Sequence, residues 1–465
     1  MSGSKKLLAL MCLIMAQFMI VLDISILNVA LPSIERSFHF SVNNLQWIIT
    51  SYTLAFGGFL LFGGRAADLY GRKRVFMFSV AGFATVSLLL ASIASAKWMI
   101  PLRTLQGLFA AFVSPSALSL VLTLFTDAHE RNRALSFWGA VSAGGATVGL
   151  LLGGFLTEFI NWRWNFLVNV PVGLLIVLLA WKVLPRHIEE EQDTTLDIWG
   201  AVLATSGLMI FVYACSKASY WGWLSLETFA VLTFSIFVLG VFVWHERRAK
   251  HPLMPLSIFK IGNVAAANFI RLPIAASLSS AFFFLTLYIQ NILGYTPLEA
   301  GLAFLPMSLL IGFSAIFAPP IVERLGIRNT LIISPLFPAL GLFLLGFVPV
   351  SGSYITHILP SLLIMPLGLG LSFVALSIAA TYGVPPHESG LASGILTTGQ
   401  QVGVSIGLAI LSSVAAATTM HATGSHPAAM LAGFHVAYFL GSAFALVASV
   451  VAFLFIRKRA EIQPI

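Results

Sequence analysis

Residues 7–31 read LLALMCLIMAQFMIVLDISILNVAL, and the single charge among them is Asp23. A helix needs about 20 predominantly apolar residues to cross a hydrocarbon core roughly 30 Å thick, so this stretch alone is long enough to span a bilayer. Lys5 and Lys6 precede it, as basic residues precede a secretory leader. The run nevertheless continues through Asn28 and Pro32 without a small-x-small cleavage site, and it is expected to stay in place as a first span.

The rest of the chain extends the same pattern. Of 465 residues, 58% are hydrophobic and 9% charged, against about 25% charged in a soluble protein, and the mean hydropathy is +0.95. The net charge of +8 raises the question of nucleic acid. The basic residues fall in short clusters between apolar runs and build no continuous face, so they read as topology signals. Cys12 and Cys215 both sit in apolar surroundings, and no disulfide framework is expected.

Further apolar segments fall near 45–66, 75–95, 98–124, 135–158, 165–184, 198–216, 228–245, 263–289, 298–320, 329–349, 356–381, 391–416 and 433–456. With the first, they predict an all-α integral membrane protein of fourteen transmembrane helices. Charge asymmetry tests the count independently. With the N-terminus inside, cytoplasmic segments hold Lys5, Lys6, Arg65, Arg72, Lys73, Arg74, Arg131, Arg133, Lys182, Arg186, Arg247, Arg248, Lys250, Lys260, Arg324, Arg328, Arg457, Lys458 and Arg459. The outer loops hold only Arg36, Lys97, Arg163 and Lys217. Such a positive-inside bias places both termini in the cytoplasm, and a miscounted span would scramble it.

Three features recur at an offset of about 255–261 residues. Asp68-x-x-Gly71-Arg72-Lys73 is echoed by Glu323-x-x-Gly326-x-Arg328. Gly107-Leu108 and Phe112-Val113 match Gly368-Leu369 and Phe373-Val374, and Gly145, Gly149 and Gly153 match Gly399, Gly403 and Gly407. The order implies two six-helix halves, 1–184 and 263–465, with an inserted helix pair and its linkers at 185–262. Repeated halves around a central path are a transporter architecture. Glycines at i, i+4, i+8 share one helix face and let another backbone approach, either as ordinary packing or at an interface that moves.

Charges within spans are costly and therefore candidates for function. Asp23 lies about 16 residues into its span, roughly 24 Å at 1.5 Å per residue, in the outer half. Desolvation disfavours a charged carboxylate, so Asp23 is a candidate to take up and release a proton. A structural carboxylate bonded to helix neighbours such as Asn28 is the alternative. Arg103, near the outer start of the fourth span, has Ile364 as its counterpart in the repeat, so symmetric packing does not demand a cation there, which favours a specific task over snorkelling. Arg271, about 12 Å into the ninth span, reads as a substrate contact or as a snorkelling anchor. Asn28, Gln106 and Gln290 are further polar candidates for substrate contact. No histidine falls clearly at mid-membrane and no phosphate-cradling loop is present, so neither a metal site nor ATP-driven pumping by this chain is expected.

These residues together resemble the major facilitator superfamily, in particular its fourteen-span drug:proton antiporters, the EmrB/QacA-like group. Gly64-Arg65-Ala66-Ala67-Asp68-Leu69-Tyr70-Gly71-Arg72-Lys73 looks like the loop motif between the second and third helices. Leu22-Asp23-Ile24-Ser25-Ile26-Leu27-Asn28-Val29-Ala30-Leu31-Pro32 resembles the first-helix motif of the fourteen-span group. Arg103-Thr104-Leu105-Gln106-Gly107 is similar to the fourth-helix motif, whose arginine the family associates with proton transfer. Trp162-Arg163-Trp164 followed by Asn169-Val170-Pro171 also fits the group. In the fifth helix Gly149 and the Gly153-Gly154 pair are present, but Leu150 stands where the motif has proline. Acidic residues that some dication exporters carry in the thirteenth span are absent, so divalent cations are not expected as substrates.

The resemblance implies an antiporter of the inner membrane, not an enzyme, that needs no cofactor and runs on the proton motive force. Protons would pass through Asp23 with Arg103 assisting, while lipophilic small molecules leave. Gly64, Asp68, Gly71, Arg72 and Lys73 would form a conformational latch, and Gly145, Gly149, Gly153 and Gly154 a helix-interface motif. The reading is open to a monomer and to accessory export proteins. Its rivals are a dedicated metabolite exporter or a symporter of the same fold and, from another class, a membrane-bound lipid-modifying enzyme. The last would need a polar catalytic cluster at one interface, and the sequence offers none.

Overall fold

A computed structural model describes residues 3–125, 127–185, 197–385 and 388–456. Arg186, Arg457, Lys458 and Arg459, and part of the linker before the inserted pair, lie outside the described residues.

The described chain is helical from end to end. In order, the helices are α1 (Gly3–Phe38), α2 (Val42–Tyr70), α3 (Arg72–Ser92), α4 (Met99–Leu124), α5 (Ala128–Phe159), α6 (Trp164–Leu167), α7 (Asn169–Val183), α8 (Ile198–Trp221) and α9 (Leu226–Glu246). They continue with α10 (Val264–Leu287), α11 (Pro297–Ala303), α12 (Leu305–Ile333), α13 (Leu336–Leu345), α14 (Leu359–Thr381), α15 (Ser389–His421) and α16 (His426–Phe455). In hydrocarbon every backbone N–H and C=O must find its partner within the segment, which is why such apolar runs become helices. The side chains agree with lipid contact: on α9, Phe229, Phe234 and Phe237 are all exposed.

Helix ends follow polar and glycine punctuation. Ser41 caps α2 by accepting from the Asn44 amide, Asp197 caps α8 through the Gly200 amide, and Thr296 and Glu299 form a capping box on α11. Between α2 and α3 the chain turns at Gly71, whose φ of 91° suits glycine. Its sequence echo, Gly326, has φ 79° in the middle of α12.

Thirteen segments among the described residues are long and apolar enough to cross a membrane. The sequence led us to expect fourteen. The difference lies in Pro297–Leu345, one 49-residue segment that covers the expected spans 298–320 and 329–349 and holds the Gly326 kink within it. The sequence boundaries were also too tight at the ends; α1 runs to Phe38, seven residues beyond the expected limit, because its last turns stay helical through Arg36.

Packing partners recur along the chain. α1 packs on α5, α2 on α4, and α3 on α4 and α7; α10 packs on α15, α12 on α14, and α13 on α14 and α16. The glycine triplets serve this pattern. A methyl at Gly149 would sit 2.7 Å from Ser25 Cβ and one at Gly153 2.7 Å from the Ile26 carbonyl, both on α1. On α15 a methyl at Gly403 would meet the Leu272 carbonyl of α10 at 2.5 Å. The triplets thus join α5 to α1 and α15 to α10. Gly154 differs, since it faces Pro297 and Leu298 of α11, as Gly301 of α11 faces Leu150.

The two helix groups, α1–α7 and α10–α16, meet along α2 and α15 and along α5 and α11–α12. Thr53 and Ser405 hydroxyls bond at 2.6 Å across the first seam, and Thr398 donates to the Gly57 carbonyl. At the end where α1, α5 and α10 terminate, Gln290 donates to the Val29 carbonyl, Asn291 to Glu35, and the Leu298 amide to Glu158. Helices α8 and α9 pack on each other, and α8 lies against α2 and α15. There the Ser216 hydroxyl accepts from both Gln46 and Trp47 of α2.

Candidate functional site

Asp23 and Arg103 come together inside the α1–α7 group, each only 1% exposed. Arg103 Nη1 lies 2.8 Å from Asp23 Oδ2. The other carboxylate oxygen, Oδ1, accepts from Gln106 Nε2 at 2.9 Å and from Asn169 Nδ2 at 2.8 Å. The carboxylate is thus held by three donors from two helices, α4 and α7, while its own backbone belongs to α1. Each of these is a bond that an ionised carboxylate accepts, and a protonated one would have to give up part of the set.

The arginine is held as firmly. Its Nε donates to the Ile48 carbonyl of α2 at 3.0 Å, and Nη1 also reaches Gln106 Oε1 at 2.6 Å. The guanidinium lies 4.3 Å from the centre of the Tyr52 ring, a cation–π distance. Gln106 closes the network by donating to the Ser87 hydroxyl of α3 at 2.8 Å. α4 can approach α2 at this level because Gly107 carries no side chain; a methyl there would overlap the Tyr52 carbonyl. Five helices therefore converge on one buried ion pair.

The remaining sequence candidates fall elsewhere. Asn28 donates to the Ile24 carbonyl of its own helix and is not among Asp23's partners. Gln106, a candidate substrate contact, is a fully buried member of the Asp23 cluster. Gln290 is bonded to α1 in the seam between helix groups. Arg271 of α10 donates to Gln400 of α15, and its guanidinium lies 4.5 Å from the Phe373 ring of α14. In the loop motif, Asp68 and Arg72 pair at 2.9 Å on an exposed surface, and Lys73 donates to the Trp181 carbonyl at the end of α7. Gly64 meets only ordinary contact with Pro115, whereas neighbouring Gly63 lies where a methyl would overlap the Ala111 carbonyl of α4.

Three members of the cluster escaped the sequence reading. Asn169 carries a signal, being a polar residue one turn into an apolar span, but in sequence it stands out only as part of a motif. Ser87 and Tyr52 carried none, since a lone hydroxyl in a span usually bonds its own helix. Among the described residues no group of histidine, cysteine, aspartate and glutamate has the arrangement of a metal site.

Comparison with known proteins gives this geometry its context. Residues 13–408 match the family model of the Major Facilitator Superfamily. The chain is 38% identical over 463 residues to the puromycin resistance protein pur8 of Streptomyces alboniger, covering 97% of this chain and 92% of that protein. It is 37% identical to the cephamycin export protein CmcT of Amycolatopsis lactamdurans, covering 87% of this chain and 84% of that one. Among solved structures, a bacterial homologue of the lysosomal transporter Spinster, inward-facing and occupied, superposes with a TM-score of 0.72 at 14% identity over 100% of this chain and 99% of that chain. That likeness speaks for the fold. The chain belongs to the Major Facilitator Superfamily, as a membrane transporter related to multidrug and antibiotic-resistance exporters.

Proposed function

We propose that this transporter is a proton-coupled antiporter that exports lipophilic small molecules, with Asp23 as the coupling carboxylate. The observation that carries this reading is the sealed Asp23–Arg103 pair at the junction of five helices. A proton arriving at Asp23 cancels the charge that Arg103 faces. Removing one partner of a buried ion pair typically costs about 3–5 kcal/mol, because the other charge stays buried and unanswered. Protonation therefore works against the arrangement of α1, α4 and α7 seen here and favours one in which Arg103 finds other acceptors. A 100 mV potential supplies about 2.3 kcal/mol per proton, comparable in size to that bias. The resistance and export proteins named above support export as the direction of transport.

The same reading takes the chain to have fourteen spans, in the manner of the EmrB/QacA-like group. The 49 residues of Pro297–Leu345 would extend roughly 70 Å as one helix, more than twice the hydrocarbon thickness, and Gly326 divides them into two crossings. Two halves of six spans each, built from α1–α7 and α10–α16, then flank the inserted pair α8–α9, with both termini in the cytoplasm of an inner membrane. Under that orientation the Gln290, Asn291 and Leu298 bonds close the outer end. The loop motif becomes a cytoplasmic latch: an exposed pair such as Asp68–Arg72 contributes about 0–1 kcal/mol, weak enough to be exchanged during each cycle.

The test is efflux of a lipophilic dye, such as ethidium, and of puromycin from cells overproducing the protein. Export of at least one compound should rise above that of empty cells and collapse on addition of a protonophore. Export that survives the protonophore would contradict proton coupling.

A further inference from the structure

Among the described residues Arg271 is the second arginine buried in the spans, and it differs from Arg103 in having no carboxylate in an ion pair with it. It is 8% exposed, and only its Nη2 is satisfied, by Gln400 Oε1. Nε and Nη1 have no hydrogen-bond partner among the described residues. Phe373 covers a face of the guanidinium at 4.5 Å, which leaves the in-plane N–H edges as its open directions. One turn earlier on α10, Asn268 uses its amide to bond the Val264 carbonyl, and its Oδ1 is likewise buried without a partner. Across from it stands Gly399, where a methyl would come 3.1 Å from that oxygen.

Buried donors left unanswered are expensive, and more so on a charged group in hydrocarbon. A snorkelling arginine would carry its head to water, which a guanidinium fixed between α14 and α15 does not do. The Asp23 carboxylate is already committed to three donors. What the Arg271 group lacks is a mobile oxyanion, and what Asn268 lacks is a donor.

We infer that Arg271, Asn268, Phe373 and Gln400 form a substrate subsite for the carboxylate of an amphipathic organic acid, with Asn268 accepting from a neighbouring hydroxyl or amide of the same molecule. This rests on the export reading above and specifies its substrates: organic anions are carried, and dications are not, since a second positive charge beside Arg271 would have no partner.

The subsite is tested by equilibrium binding to the purified full chain in nanodiscs, at fixed pH and without a gradient. The probes are 9-anthracenecarboxylate, 1-naphthylacetate and their methyl esters. At least one acid should bind about tenfold or more tightly than its ester, the scale of a charge-assisted contact. Arg271→Gln should erase that preference while leaving ester affinity within about twofold, and Arg271→Lys should retain part of it, because the charge stays but the planar donors go. Absence of acid preference in the unmodified protein would overturn the subsite, as would equal loss of acid and ester in Arg271→Gln. If Arg271→Gln does not fold, the unmodified protein and Arg271→Lys still decide. Failure of the coupling reading would look different: acid preference would persist while transport ignored protonophores.

Discussion

Asp23 accepts from Arg103, Gln106 and Asn169, and the worth of each donor depends on the carboxylate being charged. Hydrogen bonds to a charged group contribute about 1.5–3 kcal/mol each, so removing one shifts the balance between protonation states without dismantling the ion pair. Asn169→Ala should therefore move the pH midpoint of transport while sparing insertion. An Asn169 that only packs would lower protein yield and leave the midpoint unchanged. At this scale the sequence was informative where a residue's cost announced it. Asp23 and Arg103 stood out because charges in hydrocarbon are rare, and their pairing across 80 positions follows from that cost. The neutral partners were harder to see. Nothing in the spacing of Ser87, Tyr52 and Asn169 says that three helices bring them to one point, since helix rotation about its axis is fixed by neighbours.

Helix α5 shows what small residues achieve for an element. Gly149 and Gly153 put its backbone against α1, directly beside the helix turn that carries Asp23. Gly149→Val and Gly153→Val force side chains into occupied space, an overpacking cost of about 1–3 kcal/mol. Both should lower thermal stability in detergent and slow transport several-fold. Gly144→Val, with nothing within 4 Å, should do neither, and equal behaviour of the three would show that the stripe is incidental. The glycine spacing was legible as a close-packing face; which helix lay opposite was not, because the same stripe suits a partner inside the helix group or across the seam. Helices α8 and α9, proposed above as an insertion, obey a separate logic. Deleting α8 and α9 removes two crossings and should leave a C-terminal reporter on its original side. Gln46 and Trp47 would lose Ser216, so reduced stability is expected alongside intact topology. An inverted reporter would contradict the assignment of the pair as an insertion.

For the whole molecule, hydropathy and basic clusters were enough to describe a polytopic bundle, because lipid imposes length and apolarity on every crossing. They could not show how crossings join: the chain is helical up to Gly326 and again after it, and Gly326, at φ 79°, turns it without a longer loop. Nor could they show which side chains tie the two helix groups together where α1 and α5 end. That follows from Gln290, Asn291 and Leu298 reaching α1 and α5, contacts between residues more than 100 positions apart. On the proposed cycle these ties open while the α2–α15 seam, backed by α8, keeps the two helix groups together. On the proposed mechanism the energy for opening enters through one carboxylate, Asp23. The direct measurement uses proteoliposomes containing the unmodified protein or Asp23→Asn, loaded with a transported compound and a pH-sensitive dye. With the unmodified protein, substrate movement in one direction should drive protons in the other. Asp23→Asn should abolish that proton flux and all uphill transport while still exchanging substrate downhill. Proton flux of normal size in Asp23→Asn would contradict the account.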